Sequence, residues 1–212
     1  MKTLLLFGAS RGLGFSIAKY YRNEGFNVIA MARSEEAIQS LESIGVQAFQ
    51  GDALNKSDIE QVLSHAPKDA MVISTMGSFQ AAQPVDYVGH RYLIDLLEQL
   101  SIKRFLMVTS LGCGDSWATL PERAKVAFGQ AVREKTLAEA WLQTSQLDYT
   151  ILRPGGLKDG EVTDTGRLIQ GEEVHGLITR DEVARLTLAL LEENTSIGQI
   201  YACVDPELKI NR

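Results

Sequence analysis

Three glycines and two arginines near the start of the chain have types and spacings suited to holding phosphates. Gly8, Gly12 and Gly14 follow the apolar run Leu4, Leu5, Leu6, Phe7 at G-x-x-x-G-x-G spacing, within TLLLFGASRGLG. A glycine directly after a strand permits a tight turn, a second lets the backbone approach a pyrophosphate, and a third lets helix and strand pack closely. A helix opening at about Leu13 would direct its unpaired N–H groups and positive dipole end at the same phosphate. Ser10 and Arg11 lie inside the turn, and Arg33 stands 19 residues after Gly14. An NAD-preferring site carries an acid at about that distance, to bind the ribose 2′-hydroxyl. Two guanidinium groups suit a 2′-phosphate instead, at about 1.5–3 kcal/mol for each charge-assisted bond. The expectation is NADP(H) preferred over NAD(H), against the plainer alternative of two solvated surface arginines.

Further candidates sit at the ends of apolar runs. Asp52 and Ala53 follow a short run at 46–50; Asp52 either meets an adenine amino group or caps the next turn. Thr75, Met76 and Gly77 close the run AMVIST, and Ser110 follows RFLMVT beside a glycine-rich loop. Arg153, Pro154, Gly155 and Gly156 follow the run at 149–152, and Lys135 lies in a long helical stretch. Ligands of open α/β sheets bind outside the carboxyl ends of the strands, which is where these residues fall. Phe79 and Trp117 line a pocket or simply pack. His65 reads as a solvent-facing helix end, His90 as a packed or surface residue, and His175 as a loop residue.

The elements that must position these groups alternate. Apolar runs at 4–7, 27–31, 46–50, 70–75, 105–108, 149–152 and 200–204 read as strands. Between them, helices are expected at 13–23, 34–43, 55–65, 84–100, 121–145 and 179–193, opened by caps such as Ser34 and Asn55. Thr179-Arg180-Asp181-Glu182 has the form of a capping box. Alternation of this length implies right-handed βαβ units in a doubly wound, Rossmann-like parallel α/β sheet forming a single domain. Residues 157–175 lack a long period and read as an irregular excursion, and a small substrate-covering region is expected at about 155–180.

The 212 residues carry a net charge of −6 with no compensating Lys/Arg cluster, which argues against a nucleic-acid surface. Two cysteines, Cys113 and Cys203, show neither metal-ligand nor disulfide spacing, so no metal is expected and a reducing cytoplasm is the simplest location. The apolar start MKTLLLF is too short for a secretion signal, and no run approaches the roughly 20 residues of a membrane span.

The segments GASRGLG, GDA, STMG, RFLMVTSLG, REKTLAEAWL, LDYTILRPGGL and ITRDEVA together resemble the short-chain dehydrogenase/reductase superfamily. The likeness is to its small atypical NAD(P)H-binding branch, which includes flavin reductase/biliverdin-IXβ reductase and nitrogen-metabolite-repressor-like proteins. It covers nearly the whole chain, and the glycine fingerprint and RPGGL carry it most specifically. The resemblance implies that Gly8, Ser10, Arg11, Gly12, Leu13 and Gly14 hold the phosphates, Arg33 the 2′-phosphate, and Asp52 and Ala53 the adenine. Thr75, Met76 and Gly77 would run along the ribose, and Pro154 and Gly155 would meet the nicotinamide. Ser110 matches the active-site serine, and Lys135 the lysine that binds the nicotinamide ribose. The tyrosine expected four residues before that lysine is Ala131. Loss of this proton donor turns the expectation toward acceptors whose reduced forms solvent can protonate. The function implied is NADPH-dependent hydride transfer to a small conjugated or carbonyl acceptor of the flavin, quinone, tetrapyrrole or aldehyde class. The alternative is an NADP(H)-binding redox sensor or scaffold that alters a protein partner without turnover.

Overall fold

Alternation along the first strand decides the layering. In β1 (Thr3–Phe7) every residue is buried, because a parallel strand is covered on both faces. Leu4 and Leu6 join one hydrophobic core, and Leu5 and Phe7 join another on the opposite face, as the two-residue period of a strand requires. The first core is closed by α1 (Gly12–Asn23), α2 (Glu35–Ser43) and α6 (Arg180–Glu192). The second is closed by α3 (Lys56–Leu63), α4 (Val88–Leu100) and α5 (Glu122–Gln143). The computed structural model describes residues 1–78 and 81–209; Phe79 lies outside the described residues.

The remaining strands are β2 (Asn27–Ala32), β3 (Gln47–Gln50), β4 (Met71–Ser74), β5 (Arg104–Val108), β6 (Asp148–Pro154), β7 (Gly156–Lys158), β8 (Arg167–Ile169), β9 (Leu177–Thr179) and β10 (Gln199–Val204). Among the described residues, eight of the ten strands form one sheet in the order β3-β2-β1-β4-β5-β6-β10-β8, and β7 pairs with β9 separately. Every pairing within the large sheet is parallel except β10 with β8. The order turns back between β1 and β4, the crevice where such sheets bind ligands. The doubly wound single domain expected from the alternation is the observed fold.

Two details differ from the sequence expectations. The stretch at 157–175 is not wholly irregular: it holds part of β7 and all of β8, each strand three residues long. Runs that short leave no readable period. Helix α4 begins at Val88, four residues after the expected start at Pro84. The intervening residues fold back on the loop after β4: Asp86 Oδ2 accepts from the Ser78 N–H at 2.8 Å and from its hydroxyl at 2.6 Å.

The capping box at Thr179 is half formed. Thr179 accepts from the Glu182 N–H at 3.1 Å. Glu182, however, turns its carboxylate to the N–H groups of Thr163, Asp164 and Gly166. It thereby holds the segment between β7 and β8 against α6.

His90 is fully buried in α4. Its Nδ1 lies 2.6 Å from the Asp86 carbonyl, which can only accept, so Nε2 accepts from the Ser74 hydroxyl at 2.9 Å. Burial, with the Lys135 charge adding to it, pushes the His90 pKa down to about 4 from 6.5. The unfolded chain therefore binds this proton more readily than the native state. The histidine's contribution to stability is complete above about pH 6.5 and is lost as pH falls toward 4, at a cost of about 3 kcal/mol. Urea unfolding of wild type and His90→Asn between these pH values should show a shallower pH slope in the variant. Equal slopes would remove His90 from acid sensitivity. His65 is exposed, as expected, and its ring stacks on Phe49 at 4.1 Å. His175 is exposed and pairs with Glu173 at 3.0 Å.

Candidate active site

At the carboxyl ends of β1 and β4 the backbone is too crowded for side chains. Gly8 has φ +88°, and a Cβ there would stand 2.8 Å from the Met76 nitrogen. A Cβ on Gly14 would stand 2.0 Å from the Gly8 carbonyl oxygen. Thr75 ties the two strand ends together, its hydroxyl donating to the Gly8 carbonyl at 3.1 Å and its N–H to the Phe7 carbonyl at 2.9 Å. Helix α1 opens directly after this turn. Its cap residue, Arg11, makes no side-chain capping bond, and no acid occupies the first turn. The positive end of the helix is therefore left to an outside anion.

A cavity of about 810 Å³ spreads from this turn across the carboxyl edge of the sheet. Its wall contains Gly8, Ser10, Arg11, Gly12, Leu13, Gly14, Arg33, Asp52, Ala53, Thr75, Met76, Gly77, Lys135 and Pro154. The structure thus brings together all but two of the residues expected to bind the cofactor or act in catalysis. Ser110 and Gly155 are the exceptions. The Ser110 hydroxyl lies 3.7 Å from the Cys113 thiol, and its neighbour Thr109 lines the cavity instead. Gly155 donates its N–H to the Cys203 carbonyl at 2.9 Å. A Cβ there would stand 2.5 Å from the Gly176 carbonyl oxygen, so its smallness serves chain packing. Asp52 lines the cavity while its Oδ1 accepts from the Leu54 N–H at 3.0 Å, so the capping role is occupied.

Charge is distributed unevenly along the wall. Arg11 and Arg33 are exposed, and their side chains make no ion pair or hydrogen bond among the described residues. At the other end Lys135 is held twice: its Nζ donates to the Met76 carbonyl at 2.9 Å and pairs with Asp86 Oδ1 at 3.1 Å. Asp86 is fully buried, so the ammonium is drawn inward. A Cβ on Gly77 would stand 2.9 Å from this ammonium nitrogen, so a side chain there would press on Lys135 where it is held.

Beneath Thr109 and Pro154 lies a buried ionic cluster. Glu139, 1% exposed, accepts from Arg153 Nε at 3.0 Å, from Arg153 Nη2 at 2.6 Å and from the Thr109 hydroxyl at 2.6 Å. Burial opposes the charge on Arg153, but the bonds to Glu139 and then Asp115 outweigh it and hold its pKa above the ordinary arginine value. The cluster fixes the ends of β5 and β6 at the cavity.

Asp86, Glu139 and Arg180 are cavity or support residues that sequence patterns do not single out. Asp86 reads as an acid in a helix's first turn, and Glu139 reads as a surface i, i+4 partner of Lys135. Arg180 reads as part of a cap. Only tertiary contacts reveal their partners. Ala131, at the position of the missing tyrosine, lines a smaller cavity of about 180 Å³ that shares Ser78 and Ala81 with the large one. Among the described residues, no tyrosine lines either cavity.

The residues present fit a dinucleotide. The crowded glycine turn leaves main-chain room for a pyrophosphate, and the free arginines sit beyond it. Among the described residues, no helix is long and apolar enough to cross a membrane, and no group of His, Cys, Asp and Glu could hold a metal ion.

The chain is similar to several known proteins. A family described as NAD(P)H-binding matches residues 8–194. The solved structure of ChuY, an anaerobilin reductase from Escherichia coli O157:H7, superposes with a TM-score of 0.92 at 47% identity, covering 99% of this chain and 100% of that one. An uncharacterized sugar epimerase from Bacillus subtilis, YhfK, is 28% identical over 98% of this chain and 96% of its own. Sanguinarine reductase from Eschscholzia californica is 28% identical over 90% of this chain and 84% of its own. The chain belongs to the NAD(P)H-binding family, and it is an NAD(P)H-dependent reductase of the atypical short-chain dehydrogenase/reductase type.

Proposed function

We propose that the protein reduces a conjugated acceptor of the linear tetrapyrrole class with NADPH. The observation that carries this is a cavity with phosphate-binding features at one end, a fixed ammonium at the other, and no tyrosine between them. When bound, the cofactor supplies a hydride, and solvent supplies the proton that completes a two-electron reduction. An extended conjugated acceptor tolerates that division of labour because charge on its reduced form is delocalised. The 47% identity to an anaerobilin reductase supports the tetrapyrrole class over flavins, quinones and aldehydes.

Each residue has a positional task. The turn from Gly8 to Gly14 and the N-terminus of α1 hold the diphosphate; Arg11 and Arg33 hold the 2′-phosphate. Asp52 and Ala53 flank the adenine, and Thr75, Met76 and Gly77 follow the ribose. Lys135, steadied by Asp86, binds the second ribose, with Pro154 beside the nicotinamide. Ser110, whose hydroxyl rests beside Cys113 behind Thr109, would reach the acceptor only by a side-chain rotation, and residues 155–180 cover that end. Catalysis is then mainly proximity and orientation.

NADPH consumption with biliverdin, FMN, menadione and an aldehyde tests the proposal. Turnover is expected with biliverdin in excess of the others. Tight nucleotide binding with no turnover on any of them would favour a sensor. Arg33→Asp should weaken NADPH binding about tenfold to a hundredfold by calorimetry, the value of one lost charge-assisted bond. NADH binding should change little, and equal losses would make Arg33 an ordinary surface residue.

A further inference from the structure

Arg180 is the first residue of α6, and its side chain reaches across the cavity mouth to the glycine turn. Its Nε would stand 3.4 Å from a Cβ added to Gly12. That Nε is buried and has no hydrogen-bond partner among the described residues. On the outer side, Nη1 pairs at 2.6 Å with Asp159, whose side chain is 95% exposed. Arg180 lines the large cavity together with Ser10, Gly12 and Leu13.

We propose that Arg180 is a ligand of the dinucleotide's diphosphate, and that it exchanges the Asp159 carboxylate for a diphosphate oxygen when the nucleotide binds. The inference rests on the nucleotide-binding reading of the cavity but not on any acceptor. A buried donor without a partner marks a site that the protein alone leaves incomplete. An ion pair with a solvated carboxylate contributes little, so Asp159 is readily displaced. The competing anion would lie over Gly12, where the open N-terminus of α1 adds its own main-chain donors. A guanidinium matches phosphate oxygens two at a time, which a lysine at this position could not do. Because Asp159 lies just past β7 and Arg180 just past β9, the exchange also couples the covering segment to nucleotide occupancy.

Calorimetric titrations of wild type, Arg180→Gln and Asp159→Asn with four probes test the assignment. NADPH, NADH and ADP-ribose carry the diphosphate, and 2′-AMP does not. Arg180→Gln should weaken the first three about tenfold and leave 2′-AMP unchanged. Asp159→Asn should tighten the first three about two- to fivefold by freeing the guanidinium. ADP-ribose affinity indifferent to Arg180→Gln, or a loss shared by 2′-AMP, would overturn the proposal. So would an effect confined to the acceptor KM, which would assign Arg180 to the acceptor. Should Arg180→Gln fail to fold, Asp159→Asn decides alone, and unchanged diphosphate binding overturns the exchange. A wild type that binds all three diphosphates through Arg180 yet reduces no acceptor would sink the reductase proposal and leave this one standing.

Discussion

Gly14→Ala is expected to cost about 3 kcal/mol of stability and at least tenfold in NADPH affinity. The added methyl would sit 2.0 Å from the Gly8 carbonyl oxygen and 2.7 Å from the Gly8 carbonyl carbon. Both neighbours are backbone, so no side chain can swing away, and relief requires α1 to move off β1. That movement is resisted by Ile17, Ala18 and Tyr21, all fully buried on the inner face of α1. Any shift that does occur carries the helix N-terminus away from the diphosphate. Thermal unfolding should fall by roughly 2–4 °C for each kcal/mol lost in a chain of this size. Calorimetry on the folded variant reads the affinity. Wild-type stability with wild-type NADPH binding would mean that the close approach is not required.

Glu139→Ala is expected to be worse for stability, by about 3–5 kcal/mol, because it leaves the buried Arg153 guanidinium without its main counter-charge. Asp115 remains bonded to Arg153 at 2.5 Å, but its side chain is 89% exposed. The Thr109 hydroxyl would also lose its acceptor. Replacing both partners, Glu139→Met with Arg153→Met, should recover most of the loss, since a buried pair exchanged for apolar side chains is often near neutral. Urea midpoints of the single and double variants decide it. A loss under about 1 kcal/mol in Glu139→Ala would show that water reaches the cluster. Because Thr109 and Pro154 line the cavity, the single variant should also reduce turnover through misplaced wall residues.

Periodicity and turn chemistry reveal most of this fold before any coordinates. The buried parallel strands are continuous apolar runs, and Ser34, Asn55 and Thr179 each cap the helix that their position announces. Short irregular pieces escape because a three-residue strand has no period. The glycine-turn end of the cavity is legible because it is built from consecutive backbone, so spacing alone encodes it. The opposite end is not. Asp86 with Lys135, and Glu139 with Arg153, are pairs from separate elements; Asp86 and Glu139 read as ordinary helix-surface acids, and nothing local joins either to its partner. Ser110 shows the same limit: its place at the end of β5 is readable, but whether its hydroxyl faces the cavity or Cys113 depends on a side-chain rotation.

The ends of the eight-stranded sheet also bear on self-association. One edge is β3, four residues with glutamine at each end, and the other is β8, three residues led by Arg167. Short polar borders offer little template for a further strand. A largely parallel sheet with long sequence separations between partners folds slowly and exposes its strands meanwhile. Here both borders of the sheet are short and polar, so they give partly folded chains little means of joining edge to edge. Extension of the large sheet across two copies is therefore disfavoured at both of its borders.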